Sequence, residues 1–494
     1  MRNRAAYLKP MLHHLGAIYR LFGFVLLLPL GMLAFDTLRG RAEVTPVAYL
    51  LPAVLAWALG FTLTRRWPRA PLDGRRAMLV TALGWISISA LGALPFTIGV
   101  GATFLDAFFE SVSGFTTTGI TMFTELDGMP RSVLFWRALT QWVGGLGILT
   151  FFLAVTFSGG GAHRLYSAES HKISGSRPAP GLFHTLRILW IIYAGFTAAV
   201  ALALVLQGLS VFDAVAHAFT ALSTGGYSPY DASIDHYRVA GYAHFIGIEI
   251  TLIVGMLLGG MNFLVHYRAF TGSFRALWDN TEIRLFWLLI AGATVLVAGD
   301  HFLRFGLGSP GETVRTAAFQ TVSIMTTTGF ATRDIGTPWF PAVAKQVFLV
   351  LMVVGGCVGS TGGGVKVMRI AVLAAMLRRQ ISRVVYGGSA VNPVVVDGEI
   401  VSTEELRRIS ALFFAWVVLL MAGSAVTAFF SELGPLESAS GMFSALGNIG
   451  PCYIAPDAVP SLHPAIKIVY VIGMLAGRLE ILPILLLFTP RAWR

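Results

Sequence analysis

Apolar runs of about twenty residues, separated by short polar connections, follow one another along almost the whole chain. They fall near 16–35, 46–64, 77–100, 133–157, 185–207, 241–266, 284–303, 342–357, 409–430 and 466–489. Coiled as a helix, each approaches or exceeds the length that crosses about 30 Å of hydrocarbon. The pattern predicts an all-α polytopic membrane protein with about ten transmembrane helices. Between some of these runs lie shorter apolar segments, such as AFFESVSGF and AVAHAFTAL. They are too short to span and too apolar for exposed loops, so re-entrant half-membrane helices are expected there.

Each short segment runs into a glycine-centred motif: TTTGIT at Gly119, STGGYS at Gly226, TTTGFA at Gly329 and GNIGPC at Gly450. The intervals are 107, 103 and 121 residues. Thirteen residues before the glycines stand Asp106, Asp213, Thr316 and Glu437, and six before stand Ser113, Thr220, Ser323 and Ser444. This shared register predicts four copies of one unit: helix, pore helix, extended filter, helix. The acidic or hydroxyl residue at the earlier position is expected to cap the pore helix. The C-terminal end of that helix then turns its partial negative charge toward a common axis, where a cation is favoured.

Taken singly, each motif reads as an ordinary turn. In register, the four read as the wall of a pore. A cation entering it exchanges its water for backbone carbonyls, and non-helical backbone survives at membrane depth only when it lines such a cavity. Candidate filter residues are Thr116, Thr117, Thr118 and Gly119, then Ser223, Thr224, Gly225 and Gly226, then Thr326, Thr327, Thr328 and Gly329, and finally Gly447, Asn448, Ile449 and Gly450. The threonines add β-branched stiffness and hydroxyls for neighbouring backbone groups. The fourth copy shares little side-chain chemistry with the others, which a filter made of carbonyls tolerates.

These repeats divide the chain into an N-terminal two-helix unit (1–75), repeat one (76–160), repeat two (183–268), repeat three (282–377), a cytoplasmic insertion (378–407) and repeat four (408–494). The insertion carries RRQISR and EELRR, a composition suited to the membrane surface or a soluble partner.

Two interruptions stand out inside the apolar runs. GGCVGSTGGGVK contains Gly355, Gly356, Gly359, Gly362, Gly363 and Gly364 and ends at Lys366. Glycine costs about 1 kcal/mol per residue inside a helix, so an unwound loop beneath the filter, a candidate gate, is expected. A phosphate-binding loop does not fit, because Val365 separates Gly364 from Lys366. Arg478 lies near the middle of the last run with Glu480 two residues on. Two readings are open: an internal ion pair, or a positive charge in the conduction path. Glu110, His217, Glu249 and His266 show no acid–base or ligand spacing, and core roles are expected for them.

Composition agrees. The 494 residues are 55% hydrophobic and 12% charged, against about 25% charged in an average soluble protein. The net charge of +11 comes from loops that fall on one side of the membrane, for example Arg65, Arg66, Arg69, Arg75 and Arg76. The other side is acidic or mixed, with Glu125, Asp127, Asp231, Asp235, Asp334 and Asp457, Arg39 and Arg41 being exceptions. The positive-inside rule therefore places both termini in the cytoplasm and the motifs toward the outside, and nucleic-acid binding is not needed. The basic, then apolar, N-terminal segment is similar to a signal peptide, but the second run that follows closely favours a retained span. Cys357 and Cys452 give no disulfide framework or zinc site.

The four filters, the glycine-rich interruption after the third, and GRLE around Arg478 together resemble the Trk/Ktr/HKT superfamily of potassium transporters over essentially the whole chain. The two extra N-terminal spans make it most similar to the bacterial pore subunits of that group. The resemblance implies K⁺ as the transported ion, held by carbonyls of residues up to the four filter glycines. It implies a gate at Gly355–Gly364 and an arginine, Arg478, that projects into the pore. It also implies a homodimer in the bacterial inner membrane, resting on a TrkA-like cytoplasmic ring of nucleotide-binding subunits, with no organic cofactor in this chain. A Na⁺- or H⁺-coupled symporter is the nearest rival. A membrane-embedded enzyme and a purely structural subunit are more distant ones.

Overall fold

A computed structural model describes residues 4–40, 44–157, 182–386 and 393–493. The N-terminal unit comprises α1 (Arg4–Val25), α2 (Pro29–Leu38) and α3 (Val47–Arg66). Pro29 lacks an amide hydrogen, and the turn before it tightens to three-residue hydrogen bonds, Leu27 to Phe24 and Leu28 to Val25. Together α1 and α2 still form one span, packed against α3.

Repeat one is α4 (Gly74–Val100), the pore helix α5 (Phe104–Phe115) and α6 (Arg131–Phe157). Repeat two is α7 (Leu182–Leu206), the pore helix α8 (Val211–Leu222), the short α9 (Asp235–Val239), and α10 (Phe245–Gly260) with α11 (Phe263–Phe270). Repeat three is α12 (Thr281–Phe305), the pore helix α13 (Pro310–Met325), α14 (Ala342–Val353) and α15 (Val367–Tyr386). Repeat four is α16 (Thr403–Phe429), the pore helix α17 (Pro435–Gly447), α18 (Pro464–Arg478) and α19 (Leu482–Leu487).

Among the described residues, six helices are long and apolar enough to cross a membrane, or seven if α10 and α11 count as one. Three of the ten apolar runs are interrupted. The run 241–266 bends by 103° between α10 and α11, where the Asn262 side chain accepts from the Leu264 amide and starts a new helix. The run 342–357 leaves the helix after Val353. The last run breaks after Arg478, where Glu480 and Ile481 take φ of 61° and 68°. Apolar side chains on the outer helix faces, such as Leu288, Val295, Phe414 and Met421, are exposed, as a lipid-facing surface requires.

Of the insertion expected at 378–407, residues 387–392 lie outside the described residues, as do residues 158–160 at the end of repeat one. The rest of the insertion extends α15 and forms a small hairpin, Val395–Val396 paired with Glu399–Ile400. Its turn residues Asp397 and Gly398 both have positive φ, the geometry of a two-residue hairpin loop. Asp397 accepts from the amide and hydroxyl of Thr281, at 2.9 and 2.8 Å. The hairpin is thereby fastened to the start of repeat three.

Candidate functional site

The four pore helices end in the same way. The residue two before each motif glycine lies in the left-handed region: Thr117 at φ 51°, Thr224 at 54°, Thr327 at 58° and Asn448 at 55°. β-Branched residues avoid that region, at a cost of roughly 1–2 kcal/mol each, and here it recurs at three threonines. The following residue donates its amide back across the turn. Thr118 bonds Ser113, Gly225 bonds Thr220, Thr328 bonds Ser323 and Ile449 bonds Ser444, all at 2.8–3.0 Å and all to the carbonyl oxygen. These acceptors are the residues that the sequence register aligned six places before each glycine. The motif glycines then have φ of 87°, 75°, 89° and 105°.

Capping at the other end of the pore helices differs from expectation. Asp106 and Asp213 are not the caps. Thr103 and Ser210 are, each accepting the amide of the aspartate three residues on and donating its hydroxyl to that carboxylate. Glu437 sits one turn inside α17, behind Gly434, and Thr316 lies within α13 because that helix starts earlier, at Pro310. The alignment found equivalent positions, but a cap stands three residues before the first-turn acid.

The hairpins form a closed ring. A Cβ placed on Gly119 would lie closer than 3.0 Å to the carbonyl oxygen of Gly225. The same holds for Gly226 and Thr328, for Gly329 and Ile449, and for Gly450 and Thr118. Each motif glycine thus faces the carbonyl just before the glycine of the next repeat, in the order one, two, three, four and back to one. The hairpin threonines Thr116–Thr118 and Thr326–Thr328, like Ser223, Thr224 and Asn448, are fully buried. In repeats one and three the first and third hydroxyls hydrogen-bond at 2.8 Å and the first donates to the pore helix at 2.7 Å. In repeat four Asn448 replaces this arrangement, donating to the Thr118 hydroxyl and the Met474 carbonyl at 2.9 Å each.

Above the ring opens a cavity of about 290 Å³ lined by all four motif glycines together with Asp231, Asp235, Asp334, Arg137 and Arg333. Three of the residues that the sequence put on the acidic side therefore surround one mouth. Asp231 accepts from the Leu126 amide at 2.8 Å and donates its own amide to Asp127 at 3.2 Å, which ties repeat two to repeat one. Burial, and then the side-chain hydrogen bond shared with Asp127, hold the Asp231 carboxyl above the usual range.

Below the ring lies the glycine-rich loop. Val354 and Val365 pair across its neck, and the loop is tied to α10 by Cys357 and Thr361 amides donating to Gly260 and Gly259. Glu282 accepts the Val358 amide at 2.7 Å. Two contacts join the loop to the hairpins of the ring. The Gly363 amide donates to the Thr327 hydroxyl at 2.7 Å, and the Thr224 hydroxyl to that of Thr361 at 3.2 Å. A Cβ on Gly363 would strike the Asn448 side chain. Lys366 donates to Gly362 within the loop. Gly355, Gly356, Gly359, Gly362 and Gly364 are all buried in this assembly.

The partners of Arg478 are backbone carbonyls, not Glu480. Its guanidinium donates to the Thr361 carbonyl of the loop and, at 3.1 Å, to the Gly144 carbonyl. Glu480 pairs instead with Arg369 at 2.6 Å, because the break after Arg478 turns its side chain toward α15. Glu110, His217, Glu249 and His266 each face a partner within the protein: Glu110 pairs with Arg137 at 2.8 Å, His217 bonds Asp213 and Ser228, Glu249 lies against Arg315 as an ion pair at 2.8 Å, and His266 bonds the Leu258 carbonyl.

The sequence reading missed Arg137 and Gln141 on α6. Arg137 is 1% exposed and donates to Glu110, the Ser228 carbonyl and Thr121 behind the first two hairpins, with its guanidinium 4.2 Å from the Tyr227 ring centre. A charge within an apolar run was the available signal. Removing one member of a buried pair costs about 3–5 kcal/mol. Glu110→Ala is therefore expected to lower the melting temperature in detergent by many degrees, and Glu110→Ala with Arg137→Met to recover most of the loss. An unchanged melting temperature in the single variant contradicts this assignment.

Four re-entrant hairpins closing round one axis, between an acidic mouth and a buried loop, define a multi-pass membrane protein of the cation-transport class. A TrkH cation transport protein family model matches residues 53–493. The chain is 32% identical over 500 residues to the Trk system potassium uptake protein TrkH of Salmonella typhimurium, covering 97% of this chain and 100% of that one. It is 32% identical to the protein of the same name from Vibrio parahaemolyticus, covering 97% and 98%. The crystal structure of the potassium transporter TrkH from Vibrio parahaemolyticus superposes with a TM-score of 0.85 at 30% identity, covering 98% of this chain and 99% of that one. The chain belongs to the TrkH family.

Proposed function

We propose that this chain takes up K⁺ through a pore on the axis of the four hairpins. Carbonyls of Thr116–Gly119, Ser223–Gly226, Thr326–Gly329 and Gly447–Gly450 replace the water of the ion. The closed ring of glycines and carbonyls is the observation that carries this reading, and the four pore-helix C-termini aimed at it add favourable potential for a cation. With the acidic mouth outside and both termini in the cytoplasm, an interior-negative potential drives entry at about 2.3 kcal/mol per charge per 100 mV.

The loop Gly355–Gly364 with Lys366 acts as the gate and Arg478 as its latch. The support is their position directly under the filter and the hydrogen bonds that hold the loop there. A homodimer in a bacterial inner membrane, regulated by a cytoplasmic nucleotide-binding TrkA-like partner, accords with the name Trk system borne by the relatives. Purified into liposomes with an imposed interior-negative potential, the chain is expected to accumulate Rb⁺ faster than Na⁺ by about tenfold or more, the ratio that 1.4 kcal/mol of differential coordination gives. Equal rates for the two ions contradict the proposal.

A further inference from the structure

The second hairpin breaks the pattern of the ring. Repeats one and three place a threonine before the motif glycine, whose hydroxyl braces the turn through the partner two residues earlier. Repeat two has Gly225 there. Its missing side chain leaves a space that Gln141 of α6 fills, since a Cβ on Gly225 would overlap the Gln141 amide. Gln141 is fully buried. Its amide oxygen accepts from the Tyr227 backbone at 3.0 Å, which turns its nitrogen toward the Gly225 carbonyl, 2.7 Å away.

That carbonyl is a member of the ring. Among the described residues, its counterparts on Thr118, Thr328 and Ile449 receive no hydrogen bond. One quarter of the ring is therefore clamped from behind, and the clamped oxygen shares electron density with an amide hydrogen. Gln141 also fixes both sides of Gly226, because Gly225 and Tyr227 flank it. Two adjacent glycines otherwise leave this hairpin the freest of the four.

We propose that Gln141 is a specificity-determining positioning residue. It stands in for the absent threonine of repeat two, holding the Gly225 carbonyl at the radius that favours a larger alkali cation over Na⁺. This inference rests on the carbonyl pore proposed above and extends it to a residue on a different helix, outside the four motifs.

The compensating swap tests it. Rb⁺ and Na⁺ uptake into liposomes is measured for the native chain, Gln141→Ala, Gly225→Thr, and Gln141→Ala with Gly225→Thr, each checked by gel filtration. Gln141→Ala is expected to cut the Rb⁺ to Na⁺ rate ratio by about tenfold, the scale of one lost hydrogen bond of ordinary strength. Gly225→Thr alone is expected to cut uptake of both ions, since its side chain meets Gln141. The double variant, which gives repeat two a threonine and the room for it, is expected to recover selectivity. A native ratio in Gln141→Ala overturns the proposal. So does a monodisperse double variant whose Rb⁺ to Na⁺ ratio stays about tenfold below the native one, and that comparison needs only the native chain, so it decides the matter even where Gln141→Ala aggregates. A native chain without preference for Rb⁺ defeats the pore reading itself, a result distinguishable from both.

Discussion

Serine in place of Gly329 is expected to reduce the preference for Rb⁺ over Na⁺ by about tenfold or more in liposome flux. Gly329 has φ of 89°, where any side chain is strained by roughly 1–2 kcal/mol. Its Cβ would also press on the Ile449 carbonyl and come within 2.9 Å of the Pro451 ring. Both neighbours belong to the fourth hairpin, so the ring must open there, and the Ile449 carbonyl loses its place. An opened ring no longer matches a dehydrated ion of fixed size, and Na⁺ enters with part of its water. A native Rb⁺ to Na⁺ ratio in a folded Gly329→Ser protein contradicts the closed-ring geometry.

Arg478→Ala is expected to act on rate, not selectivity. The guanidinium is 3% exposed and donates to the Thr361 carbonyl, while Thr361 also bonds the Leu222 and Gly259 carbonyls and the Thr224 hydroxyl. A hydrogen bond from a charged donor contributes about 1.5–3 kcal/mol, so its loss permits a rise of roughly tenfold or more in the open population of the loop. The positive charge beneath the filter goes with it. Rb⁺ flux through Arg478→Ala is therefore expected to rise about tenfold at an unchanged Rb⁺ to Na⁺ ratio, because no filter residue is touched. A folded variant whose flux falls or stays constant contradicts the latch.

The class of fold and the position of the ring were legible in the chain because both are periodic. Runs of twenty apolar residues and four glycines in register survive any divergence of the side chains between them. Breaks were harder to see. The bend at Asn262 and the departure from helix at Glu480 depend on one side chain or one backbone angle inside a run that stays apolar. The fourth filter, GNIGPC, looked unlike the others, yet Asn448 takes the same left-handed angle as Thr117, Thr224 and Thr327. Asparagine reaches that region more easily than threonine, so the geometry was kept by a different residue.

Partnerships across repeats were the least legible. Glu480 is two residues from Arg478 but pairs with Arg369, 111 residues away. Gln141 sits 84 residues from Gly225, and only the packing of α6 behind the second hairpin brings them together. Gly225 did carry a signal, as a glycine where repeats one and three have threonine. What compensated for it was a matter of tertiary contact.

Crystals of the chain grown in Rb⁺ and measured at the rubidium absorption edge test the central claim most directly. The account predicts anomalous density on the axis enclosed by Thr117, Thr224, Thr327 and Asn448, within coordination distance of carbonyls from all four hairpins. Ordered rubidium only away from that axis, or bound by the hairpins of fewer than all four repeats, contradicts it.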